Sequence, residues 1–98
     1  MTPDDRPQLV FFTSHRSGPA RRMESLLAHI ARKERGRLRV RKVDVDDRPD
    51  IAERFRVEQV PALALVVERR VVSRLDGRAT APRIESMLEP HLAEREAA

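Results

Sequence analysis

The segment TSHRSGPARRM, residues 13–23, separates two different sequence patterns. The apolar run Leu9 to Phe12 precedes it, and a continuous run of this kind is typical of a strand buried on both faces. Apolar residues follow it at the three- and four-residue spacing of an amphipathic helix. We therefore place Ser17 to Ala20 on a turn from a strand into a helix, with Ser17 as the helix cap and Pro19 in the first helical turn.

Length and composition indicate one small globular domain. A chain of 98 residues buries roughly two-thirds of its unfolded surface, and 40% hydrophobic residues suffice for a modest core. No apolar run reaches the ~20 residues that a membrane-spanning helix needs. The N-terminal residues are polar and acidic, unlike a signal peptide, so we expect a cytoplasmic protein.

The chain contains no cysteine, which excludes disulfide bonds, thiolate nucleophiles and cysteine metal sites. Its 20 basic residues against 16 acidic ones leave a net charge of +4. The charges are interspersed, and 3 phenylalanines without tyrosine or tryptophan provide no platform for base stacking. A solvated surface of mixed charge is therefore favoured, and a nucleic-acid-binding accessory domain is an alternative.

Periodicity and breaker residues predict the element order β-α-β-α-β-β-α. The first two strands are joined by a helix and are expected to be parallel, whereas the last two form an antiparallel hairpin. Gly36 is expected to end the first helix in the left-handed conformation, and Gly77 to end the last strand. The predicted strands are 8–13, 37–46, 62–67 and 71–75, and the predicted helices are 18–35, 50–54 and 81–92. Flexible tails are expected at 1–7 and 93–98, which leaves a domain over 8–92.

A set of residues at fixed spacing resembles the thioredoxin family. Pro61, in the pair Val60-Pro61, lies 44 residues after Ser17, which is the family's separation between its first active-site cysteine and its cis-proline. The other matching positions are Phe12, Gly18-Pro19, Met23, Lys42 to Asp46, Pro49 and Gly77. The resemblance implies an α/β thioredoxin fold with a four-stranded mixed sheet flanked by helices, in a short form without the usual N-terminal strand and helix. It also implies a cis bond before Pro61.

The resemblance fails at the positions that carry the family's redox chemistry. Ser17 and Ala20 stand where the family has its two cysteines. Phe11 replaces a buried carboxylate that accepts protons, although its usual neighbour Lys42 is kept, and Arg16 replaces an aromatic residue. Thiol–disulfide exchange needs a thiolate. We therefore predict a redox-inactive protein that is not an enzyme and uses no cofactor.

A retained scaffold without its chemistry predicts a binding function. We expect the former active-site groove to hold another protein, as an extended segment, in an assembly or chaperone-like role. A signalling module of the KaiB group is an alternative. The predicted partner-binding residues are His15, Arg16, Ser17, Gly18, Pro19, Val60, Pro61, Asp76 and Gly77.

Three chemical alternatives concern the same turn and the histidines. Ser17 would act as a nucleophile with His15 as its base, but there is no Gly-x-Ser-x-Gly elbow, and a helix cap is the favoured interpretation. Arg16, Arg21 and Arg22 either bind an anion at the helix start or are simply solvated. The 3 histidines show no metal-ligand spacing, so no metal site is expected.

The predicted strand 37–46 lies at the edge of the sheet. Arg39 and Arg41 either protect this edge from pairing with another chain, which is the favoured interpretation, or meet an acidic partner strand. Lys42 needs a partner if it points inward, because an unpaired buried ammonium is costly. Asp44 and Asp46 are the candidates, unless the lysine side chain extends to solvent.

Overall fold

The computed structural model describes residues 5–97, with side chains through Leu92. Its elements confirm the predicted order, except that the first predicted helix consists of two pieces. The strands are β1 (Gln8–Thr13), β2 (Arg39–Asp44), β3 (Ala62–Val67) and β4 (Arg70–Asp76). The helices are α1 (Gly18–Arg22), α2 (Glu24–Lys33), α3 (Pro49–Arg54) and α4 (Ala81–Ala97).

The strands form one mixed sheet in the order β2-β1-β3-β4. β1 and β2 are parallel, and β3 is antiparallel to both β1 and β4, as predicted for the first pair and for the hairpin. The edge position predicted for β2 is also confirmed. Since β1 is a central strand covered on both faces, its continuous apolar sequence is explained.

The two faces of the sheet carry separate cores. Leu9 and Phe11 pack on one face with residues of α2 and α4, and Val10 and Phe12 pack on the other with residues of α3. Phe12 contacts Phe55 there, with ring centroids 5.3 Å apart. The predicted change of side along this part of the chain is confirmed: Leu38, just before β2, and Val40 pack in the first core, and Val43 packs in the second.

The first predicted helix is interrupted at Met23, where the backbone N–H bonds to the carbonyl of Ala20 at 3.1 Å instead of continuing the α-helical pattern. The helix then ends at Lys33 rather than at residue 35. The prediction that Gly36 ends it in the left-handed conformation is wrong, because Gly77 is the one described glycine with a positive φ. The Glu34 carbonyl instead accepts from Arg37 and Leu38 in a local turn.

The hairpin between β3 and β4 turns at Glu68 and Arg69, which have φ angles of 51° and 69°. Two successive left-handed residues are the geometry that matches the twist of a two-residue hairpin. β4 therefore begins at Arg70, one residue before the predicted start, and Gly77 follows its last residue at a φ of 87°.

Of the predicted tails, the structure describes residues 5–7 and the backbone of 93–97, and it leaves out residues 1–4, residue 98 and the side chains after Leu92. The last helix extends five residues beyond its predicted end at 92. Within the described part of 1–7, Pro7 is buried and its carbonyl accepts from the Arg39 N–H at 2.9 Å. The backbone of α4 is helical to Ala97 and contains Pro90. None of the helices in residues 5–97 combines the length and the apolar character needed to cross a membrane.

Candidate functional site

Ser17 caps α1, as the sequence predicted. Its backbone is extended, with φ −103° and ψ 110°, and its hydroxyl accepts a hydrogen bond from the Ala20 N–H at 3.2 Å. Its own N–H donates to the Ser14 carbonyl at 3.0 Å, which closes the turn that follows β1. Pro19 lies in the first helical turn, where its missing N–H removes no intrahelical bond.

Polar side chains gather where β1 and β2 end. We call Ser14, His15, Arg16, Asp44 and Asp46 the strand-end cluster. Thr13 at the end of β1 is paired with Asp44 at the end of β2. The two strands are parallel, so their carboxyl ends lie at the same edge of the sheet and the residues that follow them meet.

Asp46 accepts the closest contacts in the strand-end cluster. Ser14 Oγ donates to Asp46 Oδ2 at 2.5 Å, and Arg16 Nη2 donates to Asp46 Oδ1 at 2.8 Å. The Asp46 N–H in turn donates to Asp44 Oδ1 at 2.8 Å. His15 Nδ1 lies 3.5 Å from Asp44 Oδ2 and 3.6 Å from Asp46 Oδ2. The turn after β1 is therefore attached to the turn after β2.

These contacts stabilise the ionised forms of the cluster. The hydrogen bond from Ser14, followed by that from Arg16, lowers the pKa of Asp46 below its ordinary value of 3.8. The hydrogen bond from the Asp46 N–H is the main cause that lowers the pKa of Asp44, and His15 adds to it. The hydrogen bond to Asp46 raises the pKa of Arg16. Both carboxylates and the guanidinium are thus charged near neutral pH.

The proline loop is joined by a backbone hydrogen bond to the residue that follows β4. The Val60–Pro61 peptide bond is cis, and Pro61 is buried. The Pro61 carbonyl accepts from the Gly77 N–H at 2.8 Å, directly beyond the pairing of Ala62 with Asp76. The predicted residues Pro61 and Gly77 are therefore joined by a backbone hydrogen bond.

An open depression lies between the start of the first helical segment and the chain that follows Gly77. It is lined by Pro19, Arg22, Met23, Leu26, Arg78, Ala79 and Thr80. Pro19 is the only one of the predicted groove residues on this lining. Residues 78–80 were not predicted to line the groove, although they directly follow Gly77, which was.

Lys42 does not use either of its predicted partners. Its Nζ bonds to Glu24 Oε1 at 2.8 Å, on α2, and its side chain is 59% exposed. Phe11, its neighbour in the β1–β2 pairing, is almost fully buried. At the sheet edge the lysine extends past the core to solvent, so it needs no buried counterion.

The geometry favours the cap over the nucleophile at Ser17. The Ser17 hydroxyl accepts from the helix backbone, whereas His15 Nδ1 faces Asp44 and Asp46. His15 and the two aspartates also form a group of potential metal ligands, because one ligand atom from each lies within 4.8 Å of the others. Histidine spacing does not indicate this group, since its members lie at or after the ends of two different strands.

The fold and the site together have the arrangement of a thioredoxin: a strand leads into a Gly-Pro helix start, and a cis-proline loop follows at the expected spacing. The thioredoxin family profile matches residues 2–90. The chain belongs to the thioredoxin family. It is 32% identical over 87 residues to a thioredoxin-like protein of Synechocystis, which covers 89% of this chain and 80% of that protein. It is 37% identical over 71 residues to thioredoxin 1 of Chlorobaculum tepidum, covering 72% and 70% of the two chains.

A solved structure supports the same fold. The crystal structure of Deadhead, a germline-specific thioredoxin of Drosophila melanogaster, superposes with a TM-score of 0.82 at 28% identity. The match covers 89% of this chain and 82% of that one. Since this chain has no cysteine, the thiol–disulfide exchange of the family has no nucleophile here.

Proposed function

We propose that this protein binds another protein through the former active-site groove, and that it serves as an assembly or chaperone-like module rather than as a redox enzyme. The observation that carries the proposal is the open depression beside Pro19, at the helix start that follows Ser17. The cytoplasmic location expected from the sequence belongs to the same proposal.

The depression has the composition of a recognition surface. Its lining includes the apolar side chains of Pro19, Met23 and Leu26, with Arg22 and Arg78 beside them. Arginine and methionine are enriched in protein interfaces, where apolar contact supplies affinity and arginine supplies hydrogen bonds. We therefore expect the partner segment to combine an apolar anchor with acidic residues.

The adjoining proline loop is suited to hold an extended chain. The bond between the Gly77 N–H and the Pro61 carbonyl fixes the two loops relative to each other. A preorganised backbone lowers the entropy that binding costs. The proposed partner-binding set also includes the other residues predicted from the sequence, which are His15, Arg16, Ser17, Gly18, Val60 and Asp76.

Affinity capture from a native lysate tests the proposal with a matched pair of variants. Arg78→Glu reverses a charge on the lining, and Arg83→Glu reverses an exposed charge on α4 that is not on it. We expect wild-type protein and Arg83→Glu to capture the same partner, and Arg78→Glu to lose it while its unfolding transition is unchanged. Equal capture by both variants would contradict the groove assignment.

The same experiment distinguishes the binding of a protein from the binding of a nucleic acid. Binding that neutralises phosphates weakens steeply with salt, and it is removed by nuclease treatment. We expect the captured partner to persist after nuclease treatment, because an apolar anchor does not depend on phosphate contacts. The KaiB-like alternative stays a prediction from the sequence.

A further inference from the structure

We propose that His15, Asp44 and Asp46 bind a divalent transition-metal ion of the zinc class. His15 also belongs to the proposed partner-binding set, whereas Asp44 and Asp46 do not. None of the three is on the lining of the depression, so metal binding does not depend on partner binding. One imidazole nitrogen and two carboxylate oxygens are ligands that Zn²⁺ accepts, and three protein ligands leave one position for water or a further ligand.

Two of the three ligand separations suit a tetrahedral ion, and all three ligand atoms lie within 4.8 Å of one another. His15 Nδ1 lies 3.5 Å from Asp44 Oδ2 and 3.6 Å from Asp46 Oδ2. Metal–ligand bonds of about 2.0–2.2 Å at tetrahedral angles place neighbouring ligand atoms about 3.3–3.6 Å apart. The two histidine–carboxylate separations therefore need little adjustment to accept an ion between them.

The other carboxylate oxygens are held by hydrogen bonds that orient the proposed ligands. Asp44 Oδ1 accepts from the Asp46 N–H at 2.8 Å, and Asp46 Oδ1 accepts from Arg16 at 2.8 Å. In each aspartate the Oδ1 atom is held by a hydrogen bond, and the Oδ2 atom is the one that lies near His15 Nδ1. Hydrogen bonds of this kind fix the orientation of ligating carboxylates in metal sites.

Thr13 supplies an independent observation. Its hydroxyl is buried, with the residue 4% exposed, and it has no hydrogen-bond partner within the described residues. Thr13 is paired with Asp44, and strand alternation places the two side chains on the same face of the sheet. An unpaired buried hydroxyl is uncommon, so the polar groups where β1 and β2 end do not fully satisfy one another.

Opposing contacts limit the expected affinity without blocking the site. Arg16 neutralises one of the two negative charges, so the cluster attracts a cation less strongly than two free carboxylates would. Ser14 donates to Asp46 Oδ2, but a carboxylate oxygen has a second lone pair for a metal. His15 is 69% exposed, which leaves a path for the ion from solvent.

Calorimetric titration of Zn²⁺ into tag-free, chelator-washed protein tests the proposal. We expect saturable binding of one ion per chain, and at least ~10-fold weaker binding in His15→Gln, because loss of even an indirect partner of a metal ligand costs that much. Asp44→Asn is the second test variant, with the same expected weakening. His29→Gln, an exposed histidine on α2, is the matched control and should bind as the wild type does.

Two results would overturn the assignment. One is the absence of saturable Zn²⁺ binding to the wild-type protein. The other is equal affinity in wild type, His15→Gln and Asp44→Asn, which would place the ion elsewhere. Urea unfolding of each variant distinguishes a loss of binding from a loss of fold; His15 and His29 are exposed, and Asp44 is half-buried.

Discussion

Phe11 and Thr13 lie two residues apart on β1 and face the same side of the sheet, yet their surroundings differ. At Phe11 the core is apolar, and the partner residue Lys42 extends away to Glu24 at the surface. At Thr13 the partner is Asp44, and the strand-end cluster begins. Within one strand pair, charge is excluded from the interior and concentrated at the carboxyl end.

The difference follows from the cost of burying a charged group. A carboxylate in the interior is costly, because burial penalises its charged form. Phe11 carries no charge, and its buried ring packs in the apolar core instead. Carboxylates at the strand end remain hydrated or hydrogen-bonded, so they are compatible with a stable fold and available for binding.

The largest effect on stability is expected when the Phe11 ring is removed. We expect Phe11→Ala to lower the free energy of unfolding by about 3–5 kcal/mol, because a nearly fully buried aromatic side chain leaves a cavity. Phe11→Asp should cost more, since it adds an unpaired charge to the same cavity. Urea denaturation measures both.

Val71→Ala is the control for this prediction. Val71 is among the exposed apolar residues, so its removal should change stability by no more than about 0.5 kcal/mol. A comparable loss in Phe11→Ala and Val71→Ala would show that Phe11 is not part of the core.

The turn beyond the cluster is tested by Ser17→Ala. We expect a loss of about 1 kcal/mol in unfolding free energy, because the substitution removes the bond to the Ala20 N–H. Ser25→Ala, at an exposed position within α2, should have a smaller effect. Hydrolytic activity that disappears in a folded Ser17→Ala protein would contradict the cap-only role.

The strand-end cluster predicts a particular acid response. Asp46 has a lowered pKa in the folded state, so its contribution is fully present above its ordinary value of 3.8 and is lost as the pH falls through the lower folded value. Asp46→Asn should therefore reduce stability at neutral pH and weaken its decline below pH 3.8. Urea midpoints measured across acid pH, with the exposed Asp47→Asn as control, check this; identical pH profiles in wild type and Asp46→Asn would count against it.

The smallest effect is expected for the pair of Lys42 and Glu24. Both side chains are substantially exposed, so a double-mutant cycle with Lys42→Ala and Glu24→Ala should give a coupling of about 0.2–1 kcal/mol. A larger coupling would mean that Lys42 belongs to a buried ionic site. That result would contradict the conclusion that charge is excluded from the interior beside Phe11.

Much of the fold could be predicted because its signals are local. The apolar run of β1, the cap at Ser17 and the proline within the first helical turn act over a few residues, and the structure confirms them. The interruption at Met23 and the conformation of Gly36 were missed. Both depend on which carbonyl each N–H reaches, and residue type alone does not specify that choice.

The site was less predictable because it is assembled from distant segments. Ser14 and Asp46, which share the shortest bond of the cluster, are 32 residues apart in the chain. Family spacing located the turn and the proline loop, but it did not indicate the acidic strand end or the segment 78–80. For Lys42 the sequence left Asp44, Asp46 and solvent as alternatives; the side chain extends to solvent, and its partner Glu24 lies on α2.

The sequence alone determined the absence of thiol chemistry, the element order and the helix start at Ser17, because composition, periodicity and capping are properties of residues and their near neighbours. The tertiary structure decided which charges meet. Parallel pairing of β1 and β2 brings His15, Asp44 and Asp46 to one edge, and the edge position of β2 turns Lys42 outward. Both outcomes depend on register and sheet order, which arise only when the strands pack together.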